Sequence, residues 1–348
     1  MRKATFLFRT LVVSLLVSLL ILASIISSAC TSPAPTVVLR CAIGSPLEHP
    51  GTQLVVGFIE DFNAAADGRY EIKLFAGGTL SSTLGQMDAI RTGAIDMGDA
   101  ATNFYAGNDA AFGVADVPFL FNNYDAQIEF LKDAMGVLDA IAQEKFNQKL
   151  ICMAVYGSKD IYSVDKPVRT LEDWQGLLVS VNTPIESDMV NALGGAPVVT
   201  DWVDELPSLQ KGVINAGIIS APMGLQPMQY SDVINYITIA GMKGGMNFIA
   251  INLDIWEDMP KDIQDLMLEC ASEYADNFNE TFKSTEGDCI ALLESEGVTV
   301  YYLPEDERDR WVEACQQVCD DYWDSLPQDI AQKFKDFAAS ANSKFPLE

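Results

Sequence analysis

Histidine is nearly absent from this sequence, with His49 the only one in 348 residues. A single imidazole excludes a histidine-rich metal site and leaves a serine- or cysteine-dependent mechanism only one candidate base. The sequence also lacks the patterns GxSxG, GxxxxGK[ST], GxGxxG and HExxH, which accompany nucleophilic, nucleotide-binding and zinc-dependent chemistry. These absences argue against an enzyme.

Positive charge is scarce as well. The chain has 22 Lys and Arg against 49 Asp and Glu, which gives a formal net charge of −27. A chain this acidic repels nucleic acid and anionic lipid, so neither is an expected partner. The seven cysteines contain no CxxC pair, so no metal or cofactor is predicted. The spacing leaves open whether any cysteine after Cys30 forms a disulfide.

The N-terminus has the features of an export signal. Basic residues at positions 2, 3 and 9 precede an uncharged apolar run over 11–26, and small residues fill 27–29. This order predicts a signal peptide over 1–29. Cys30 follows directly and begins a short tether over 30–36, which resembles a bacterial lipoprotein anchor with a lipid on Cys30. An ordinary signal peptide followed by an incidental cysteine is the alternative.

The remaining chain alternates between strand and helix patterns. A strand over 37–43, an amphipathic helix over about 52–66 and a strand over 70–75 predict an α/β fold. The length exceeds what one compact core usually holds, so two lobes are expected. Residues 89–98 and 208–217 both read as helix, glycine and strand. This similarity predicts two lobes built on one plan, with chance similarity as the alternative.

The order of apolar runs gives a provisional division of the chain. Runs at 151–155 and 248–253 are candidate hinge strands, and a helical pattern of unusual length extends from 263 to 293. We therefore expect a first lobe over 37–155 that is rejoined by part of the C-terminal region, and a second lobe over 156–250. Residues 251–348 then supply a hinge strand, the long helix and C-terminal helices.

Seven short motifs resemble those of the DctP-like solute receptors of TRAP transporters (tripartite ATP-independent periplasmic transporters). The motifs occur in the same order as in that family and are spread over nearly the whole mature chain. They are EHP at 48–50, FAGGTL at 75–80, RTGAIDMG at 91–98, DVPFLF at 116–121, LEDWQGL at 171–177, ALGGAP at 192–197 and LQKGVIN at 209–215.

The resemblance implies a two-lobed periplasmic binding protein with hinge strands and a long helix that bridges the lobes. It implies an extracytoplasmic, non-enzymatic receptor that hands a small organic solute to the small and large membrane subunits of a transporter. The lipid on Cys30 would hold such a receptor at the outer face of the cytoplasmic membrane. Two alternatives remain: a ligand-sensing subunit of a membrane receptor kinase, and a secreted hydrolase.

Three positions depart from the pattern that the resemblance implies for the ligand site. The arginine that grips a substrate carboxylate is replaced near Ser180, and a second arginine becomes Lys159. A Glu-Trp pair that helps to hold a cation becomes Ile218 and Ile219, so no metal is expected. These changes predict a cleft that is less charged and more apolar than the resemblance implies. They also predict a solute that is not a simple dicarboxylate, such as a neutral or aromatic-bearing compound or a monocarboxylate.

The best candidate for a charged contact is Lys159, with a solvent-facing loop lysine as the alternative. Further candidate residues of the ligand site are Asn182, Trp202, His49, Asn103, Tyr105 and Tyr162.

Overall fold

The computed structural model describes residues 35–200 and 202–347, without the side chains of Leu84, Trp202 and Val203. The predicted signal peptide, Cys30 and most of the tether lie outside these residues. Within the described part of the chain, no helix is both long and apolar enough to cross a membrane.

The described strands form two sheets. The first sheet contains β1 Val37–Ala42, β2 Tyr70–Phe75, β3 Met97–Ala101, β4 Gln148–Val155 and β10 Met246–Asn252. The second sheet contains β5 Lys159–Ser163, β6 Leu178–Val181, β7 Ala196–Val199, β8 Ala216–Ile219, β9 Tyr236–Lys243 and β11 Thr299–Tyr302.

Eleven α-helices are described around these sheets. They are α1 Pro50–Ala65, α2 Gln86–Arg91, α3 Asn103–Ala106, α4 Tyr124–Phe146, α5 Pro184–Leu193, α6 Trp202–Gln210, α7 Leu253–Asp258, α8 Lys261–Ser295, α9 Glu305–Ala314, α10 Gln316–Ser325 and α11 Gln328–Lys344. A 3-10 segment over Ala110–Asp116 and a π-helical turn over Ala221–Leu225 also contribute to the region between the sheets.

Each sheet is mixed in strand direction. The first has the order β2-β1-β3-β10-β4, with β1, β2 and β3 parallel and β10 antiparallel to both of its neighbours. The second has the order β11-β9-β5-β8-β6-β7, in which β5 is antiparallel to β8 and β9. Since β10 returns late in the sequence to pair between β3 and β4, the first lobe is assembled from separated parts of the chain.

The chain crosses between the sheets after β4 and again before β10. The first crossing passes through Gly157, which has a φ of 92° and whose added Cβ would lie 2.9 Å from the ring of Tyr124. A left-handed backbone in so little space favours glycine. At the second crossing, an added Cβ on Gly245 would meet the Tyr156 ring at 2.2 Å. Both strand connections thus depend on a residue without a side chain.

The 35-residue helix α8 is the third link. At 1.5 Å per residue it is about 50 Å long. Its Ile263 and Phe278 are buried in the core of the first lobe, and its Ile290 and Leu293 are buried against the second. The two-lobed α/β fold with a bridging helix is as predicted. The strand β11 and the helix α9 also pack on the second lobe, so residues after 251 contribute to both lobes.

The internal similarity noted in the sequence corresponds to a shared local geometry. Helix α2 is followed by Gly93 with a φ of 71° and then by β3 in the first sheet. Helix α6 is followed by Gly212 with a φ of 69° and then by β8 in the second sheet. In both lobes a left-handed glycine after a helix directs the chain into a buried strand. The six described cysteines are free thiols.

Candidate functional site

A cavity of about 110 Å³ lies between the two lobes. One water needs roughly 10–15 Å³ on this measure, so the space suits a molecule of roughly 7–11 non-hydrogen atoms. Both lobes supply its walls. The lining residues are Gly44, Ser45, His49, Gly51, Thr52, Thr83, Asp99, Ala100, Ala101, Asn103, Phe104, Tyr156, Lys159, Asn182, Glu205, Ile218, Ile219, Met223, Asn247 and Phe278.

The N-terminal turn of α1 forms part of the first-lobe wall. The His49 ring caps this helix by accepting a hydrogen bond from the Gly51 amide at 3.1 Å. Gly51 and Thr52 both line the cavity and are buried. Because the first amides of a helix lack intrahelical acceptors and lie at the positive end of its dipole, this turn favours an anionic group.

Lys159 supplies the positive charge of the second-lobe wall. It begins β5 and only 8% of its surface is exposed, so the solvent-facing alternative is wrong. Its Nζ lies 5.5 Å from the centroid of the Tyr156 ring, within range of a cation–π contact. Burial lowers the pKa of Lys159, but Tyr156 and Asp116 raise it more, so the net shift is upward and the group remains a cation.

Glu205 places a buried carboxylate in the same wall. Its Oε1 accepts hydrogen bonds from the hydroxyls of Tyr162 and of Tyr230, the latter at 3.2 Å, and its Oε2 accepts one from Ser180 at 2.9 Å. Burial raises the pKa of Glu205 although these donors and Lys159 lower it. Three neutral donors orient the carboxylate without cancelling its charge.

Asp99 places a second carboxylate on the opposite wall. It stands in β3, directly across from Ile249 of β10. Burial raises the pKa of Asp99 to about 7, because a carboxylate loses hydration when protein surrounds it. No cation among residues 35–200 and 202–347 forms an ion pair with it.

Two hydrogen bonds join the lobes beside the cavity. The Nε2 of His49 lies 2.9 Å from the Met223 carbonyl, and the Asn103 amide donates to the Asn182 side-chain oxygen at 3.0 Å. Since Nδ1 of His49 accepts from Gly51, Nε2 carries the proton and donates to Met223. Burial lowers the pKa of His49, with the Met223 carbonyl opposing it, so the ring is neutral at pH 7.

A buried ion cluster also joins the lobes, close to Lys159. The Nζ of Lys243 lies 2.7 Å from the first-lobe Asp116 and directly contacts the second-lobe Glu186. All three side chains are almost wholly buried. Burial lowers the pKa of Lys243 to about 7, against the effect of Asp116. We call Asp116, Glu186 and Lys243 the interlobe cluster.

The structure brings together most, but not all, of the residues that the sequence singled out. Lining the cavity are His49, Asn103, Lys159, Asn182, Ile218 and Ile219. Ser180 and Tyr162 lie behind the wall and hydrogen-bond to Glu205. Tyr105 does not line the cavity but donates to Gln148 at 2.7 Å within the first-lobe core. The side chain of Trp202 lies outside the described residues.

That the cleft is less charged than the resemblance implies stays a prediction, but two charged residues that the sequence analysis did not single out line the cavity. The expectation rested on the positions near Ser180 and Ile218 and overlooked Asp99 and Glu205, which both line the cavity. In the sequence Asp99 follows a motif that reads as a helix-strand corner, and Glu205 is one acidic residue among 49 Asp and Glu. No local pattern distinguished them.

Two lobes that enclose a cavity, joined by two strand crossings and a bridging helix, define a solute-binding protein. A family model described as bacterial extracellular solute-binding protein, family 7 (DctP), matches residues 43–326. The chain belongs to this family. The prediction of a TRAP-type solute receptor rather than an enzyme is confirmed, and the family is extracytoplasmic.

Relatives with assigned ligands share low identity with this chain. The C4-dicarboxylate-binding periplasmic protein DctP of Rhodobacter capsulatus is 22% identical over 262 residues, which is 73% of this chain and 77% of that protein. The C4-dicarboxylate-binding protein DctB of Bacillus subtilis is 20% identical over 269 residues, 76% of each chain.

Solved structures share the fold over nearly their whole length. DctP7 of Bordetella pertussis, an extracytoplasmic solute receptor binding pyroglutamic acid, superimposes with a TM-score of 0.81 at 20% identity, covering 87% of this chain and 99% of that one. A TRAP periplasmic solute binding protein of Anaerococcus prevotii with bound D-glucuronate superimposes with a TM-score of 0.82 at 19% identity, covering 89% of this chain and 99% of that one.

Proposed function

We propose that this receptor captures a small organic acid between its lobes and delivers it to the small and large membrane subunits of a TRAP transporter. The observation that carries the proposal is Lys159, a buried cation on the wall of a cavity sized for a small molecule. It forms no ion pair with any carboxylate of the described residues. A buried charge is costly unless it is paired, so a ligand carboxylate is a favourable partner.

Ligand capture is coupled to lobe closure. A solute that touches both walls binds the closed state better than the open one, and this difference in affinity shifts the population. The contacts of His49 with Met223 and of Asn103 with Asn182 form only when the lobes meet. To change the ratio of closed to open protein from 1:99 to 99:1, the ligand must bind the closed state about 5.5 kcal/mol more favourably than the open state. Several hydrogen bonds from the ligand to both walls can supply this difference.

The site that we propose includes the predicted residues that line the cavity, with Glu205 and Asp99 added. Ser180 and Tyr162 act by holding Glu205, and Trp202 stays a candidate because helix α6, which carries Glu205, begins at this residue. Tyr105 is dropped as a ligand contact. The lobe boundaries at 155–156 and 250–251 stay predictions, with the strand crossings as the natural hinge.

The ligand is proposed not to be a simple dicarboxylate. The dicarboxylate-binding relatives are no more than distantly related to this chain. Within the part of the chain that the structure describes, one cation and two carboxylates line this cavity, so a second carboxylate on the solute would face Asp99 or Glu205. The repulsion between buried like charges disfavours such a ligand.

A membrane anchor on Cys30 completes the proposal. Cleavage after Ala29 would leave Cys30 as the first residue, ready to carry a lipid. Mass spectrometry of the N-terminal peptide from the native host is expected to find a diacylglyceryl group on Cys30, and Cys30→Ala is expected to release the protein from membranes. An unmodified cysteine in a soluble mature chain would contradict the anchor and leave the receptor function intact.

The binding proposal is tested with the purified, solute-stripped protein and a panel of small carboxylates in a thermal-shift assay followed by calorimetry. We expect at least one member to stabilise the protein, by about 2.7 kcal/mol at 100 times its Kd. Lys159→Met is expected to weaken that ligand by roughly 10- to 150-fold, the loss of one charge-assisted contact.

Lys211→Met provides the matched control, because Lys211 is exposed and lies at the end of α6 outside the cavity. It is expected to bind as the unaltered protein does. Full affinity in Lys159→Met, or no stabilisation by any small carboxylate, would refute the proposed site.

A further inference from the structure

The charges that line the cavity do not balance. Among the described residues, its walls carry two carboxylates, Asp99 and Glu205, and one cation, Lys159. The interlobe cluster beside it adds two carboxylates and one lysine, so it does not supply the missing positive charge. His49 is neutral and already donates to Met223. When both carboxylates are ionised, the closed site therefore has an excess of negative charge, and a cationic group beside Asp99 favours its ionised form.

Asp99 has an unpaired acceptor beside it. Asn247 lies two residues before Ile249, the cross-strand partner of Asp99, so both side chains leave the same face of the sheet. Asn247 is 6% exposed and lines the cavity, and its Oδ1 has no hydrogen-bond partner among the described residues. A carboxylate and an amide oxygen on one face form a place for a group that donates several hydrogen bonds.

Glu205 retains acceptor capacity on the opposite wall. Its Oε2 receives a hydrogen bond from Ser180 only, within the described residues, whereas Oε1 receives two. A carboxylate oxygen accepts about two hydrogen bonds. The three hydroxyls fix Glu205 in position, and no lysine or arginine of the described residues forms an ion pair with it.

We infer that the solute carries a protonated amine as well as a carboxylate, and that the ligand class is the zwitterionic amino carboxylates. The carboxylate contacts Lys159, and the ammonium donates to Asp99, with Asn247 or Glu205 as a second acceptor. Such a ligand neutralises one carboxylate of the cavity wall and adds no net charge to the site. This inference rests on the proposed function and specifies the ligand for the same cavity.

The test uses pairs of ligands that differ in the amine alone or nearly so. Suitable pairs are L-proline with L-pyroglutamate, L-leucine with 2-hydroxy-4-methylpentanoate, and 4-aminobutanoate with pentanoate. The Kd of each is measured by calorimetry on the purified, solute-stripped protein. We expect the amine to tighten binding at least about tenfold in one or more pairs, as a charge-assisted hydrogen bond to a carboxylate inside the cavity predicts.

A variant and its control test whether Asp99 causes the preference for the amine. Asp99→Asn keeps the shape of the side chain and removes its charge, and we expect it to lower the ratio of amine to matched-acid affinity at least about fivefold. This ratio is an internal control, since a general disturbance of the cavity weakens both ligands of a pair alike. Asp204→Asn, an exposed neighbour of Glu205 on α6, is expected to leave the ratio unchanged.

The outcomes separate this inference from the proposed function. If the matched acids bind as tightly as the amines or more tightly, the organic acid receptor stands and the amine site is refuted. If no member of any pair binds while another carboxylate of the panel does, the amine site is refuted and the receptor stands, and if nothing in the panel binds, both are refuted. An amine preference that persists undiminished in Asp99→Asn overturns the assignment of the ammonium to Asp99.

Discussion

Replacing Lys243 by methionine should destabilise this receptor more than any single surface change. The substitution preserves the length of the buried side chain but removes the cation between Asp116 and Glu186. Removal of one partner from a buried ion pair leaves an uncompensated charge and costs roughly 3–5 kcal/mol. At about 2 °C per kcal/mol for a chain somewhat longer than 250 residues, Tm should fall by roughly 6–10 °C.

The assay is denaturant unfolding followed by tryptophan fluorescence at pH 6, where Lys243 is charged because its pKa is about 7. The matched control is the triple variant Lys243→Met, Asp116→Asn, Glu186→Gln, which removes the whole cluster with similar side-chain volumes. It should recover most of the lost stability, since a buried ion network can be exchanged for neutral groups at little cost. A loss below about 1 kcal/mol in the single variant would refute this account of the interlobe cluster.

Three further predictions concern individual positions. Gly157→Ala should lower the free energy of unfolding in denaturant by about 1–3 kcal/mol, because the φ of Gly157 is left-handed. Gly136→Ala inside α4 is the control: an added Cβ there meets nothing within 4 Å, so the variant should be more stable by about 0.5–1 kcal/mol. Equal effects of the two substitutions would contradict this account of Gly157. Tyr105→Phe should lower the free energy of unfolding by about 1 kcal/mol, because the hydrogen bond to Gln148 is lost. The Kd of any bound solute should be unchanged, and a higher Kd would show that Tyr105 belongs to the ligand site. Burial raises the pKa of Glu286 from 4.5 to about 7, so the folded state binds more protons than the unfolded state in this window and stability falls as pH rises from about 4.5 to 7. Glu286→Gln should remove a decline on the order of 3 kcal/mol, while the exposed Glu280→Gln should retain it.

The fold was predictable because its signals are periodic and repeated. Alternating strand and helix patterns indicated two α/β lobes, and the helical pattern from 263 to 293 indicated the long helix, observed as α8 Lys261–Ser295. The glycines at 93 and 212 marked equivalent corners in both lobes. Hydrophobic period and glycine position are local properties, so one sequence is enough to detect them.

The charge of the cleft was not predictable in the same way. Asp99 and Glu205 approach one cavity from different lobes, and their separation in sequence gives no sign of it. Tyr105 failed for the opposite reason: a polar aromatic side chain near the expected site is equally suited to a core hydrogen bond, and it bonds Gln148. Which side chains face a shared space depends on tertiary packing rather than on local pattern.

The placement of β10 limits how this molecule can be divided. No continuous stretch of polypeptide contains a whole lobe, because the first lobe needs residues from both ends of the sequence and β10 lies between β3 and β4. A fragment that ends before residue 244 would lack the strand that joins β3 to β4 and would expose an unsatisfied edge on each of them. Truncated halves should therefore aggregate. Domain exchange with a relative would have to join the chains at both strand crossings, within α8, and again after α9, where the chain returns from the second lobe to the first.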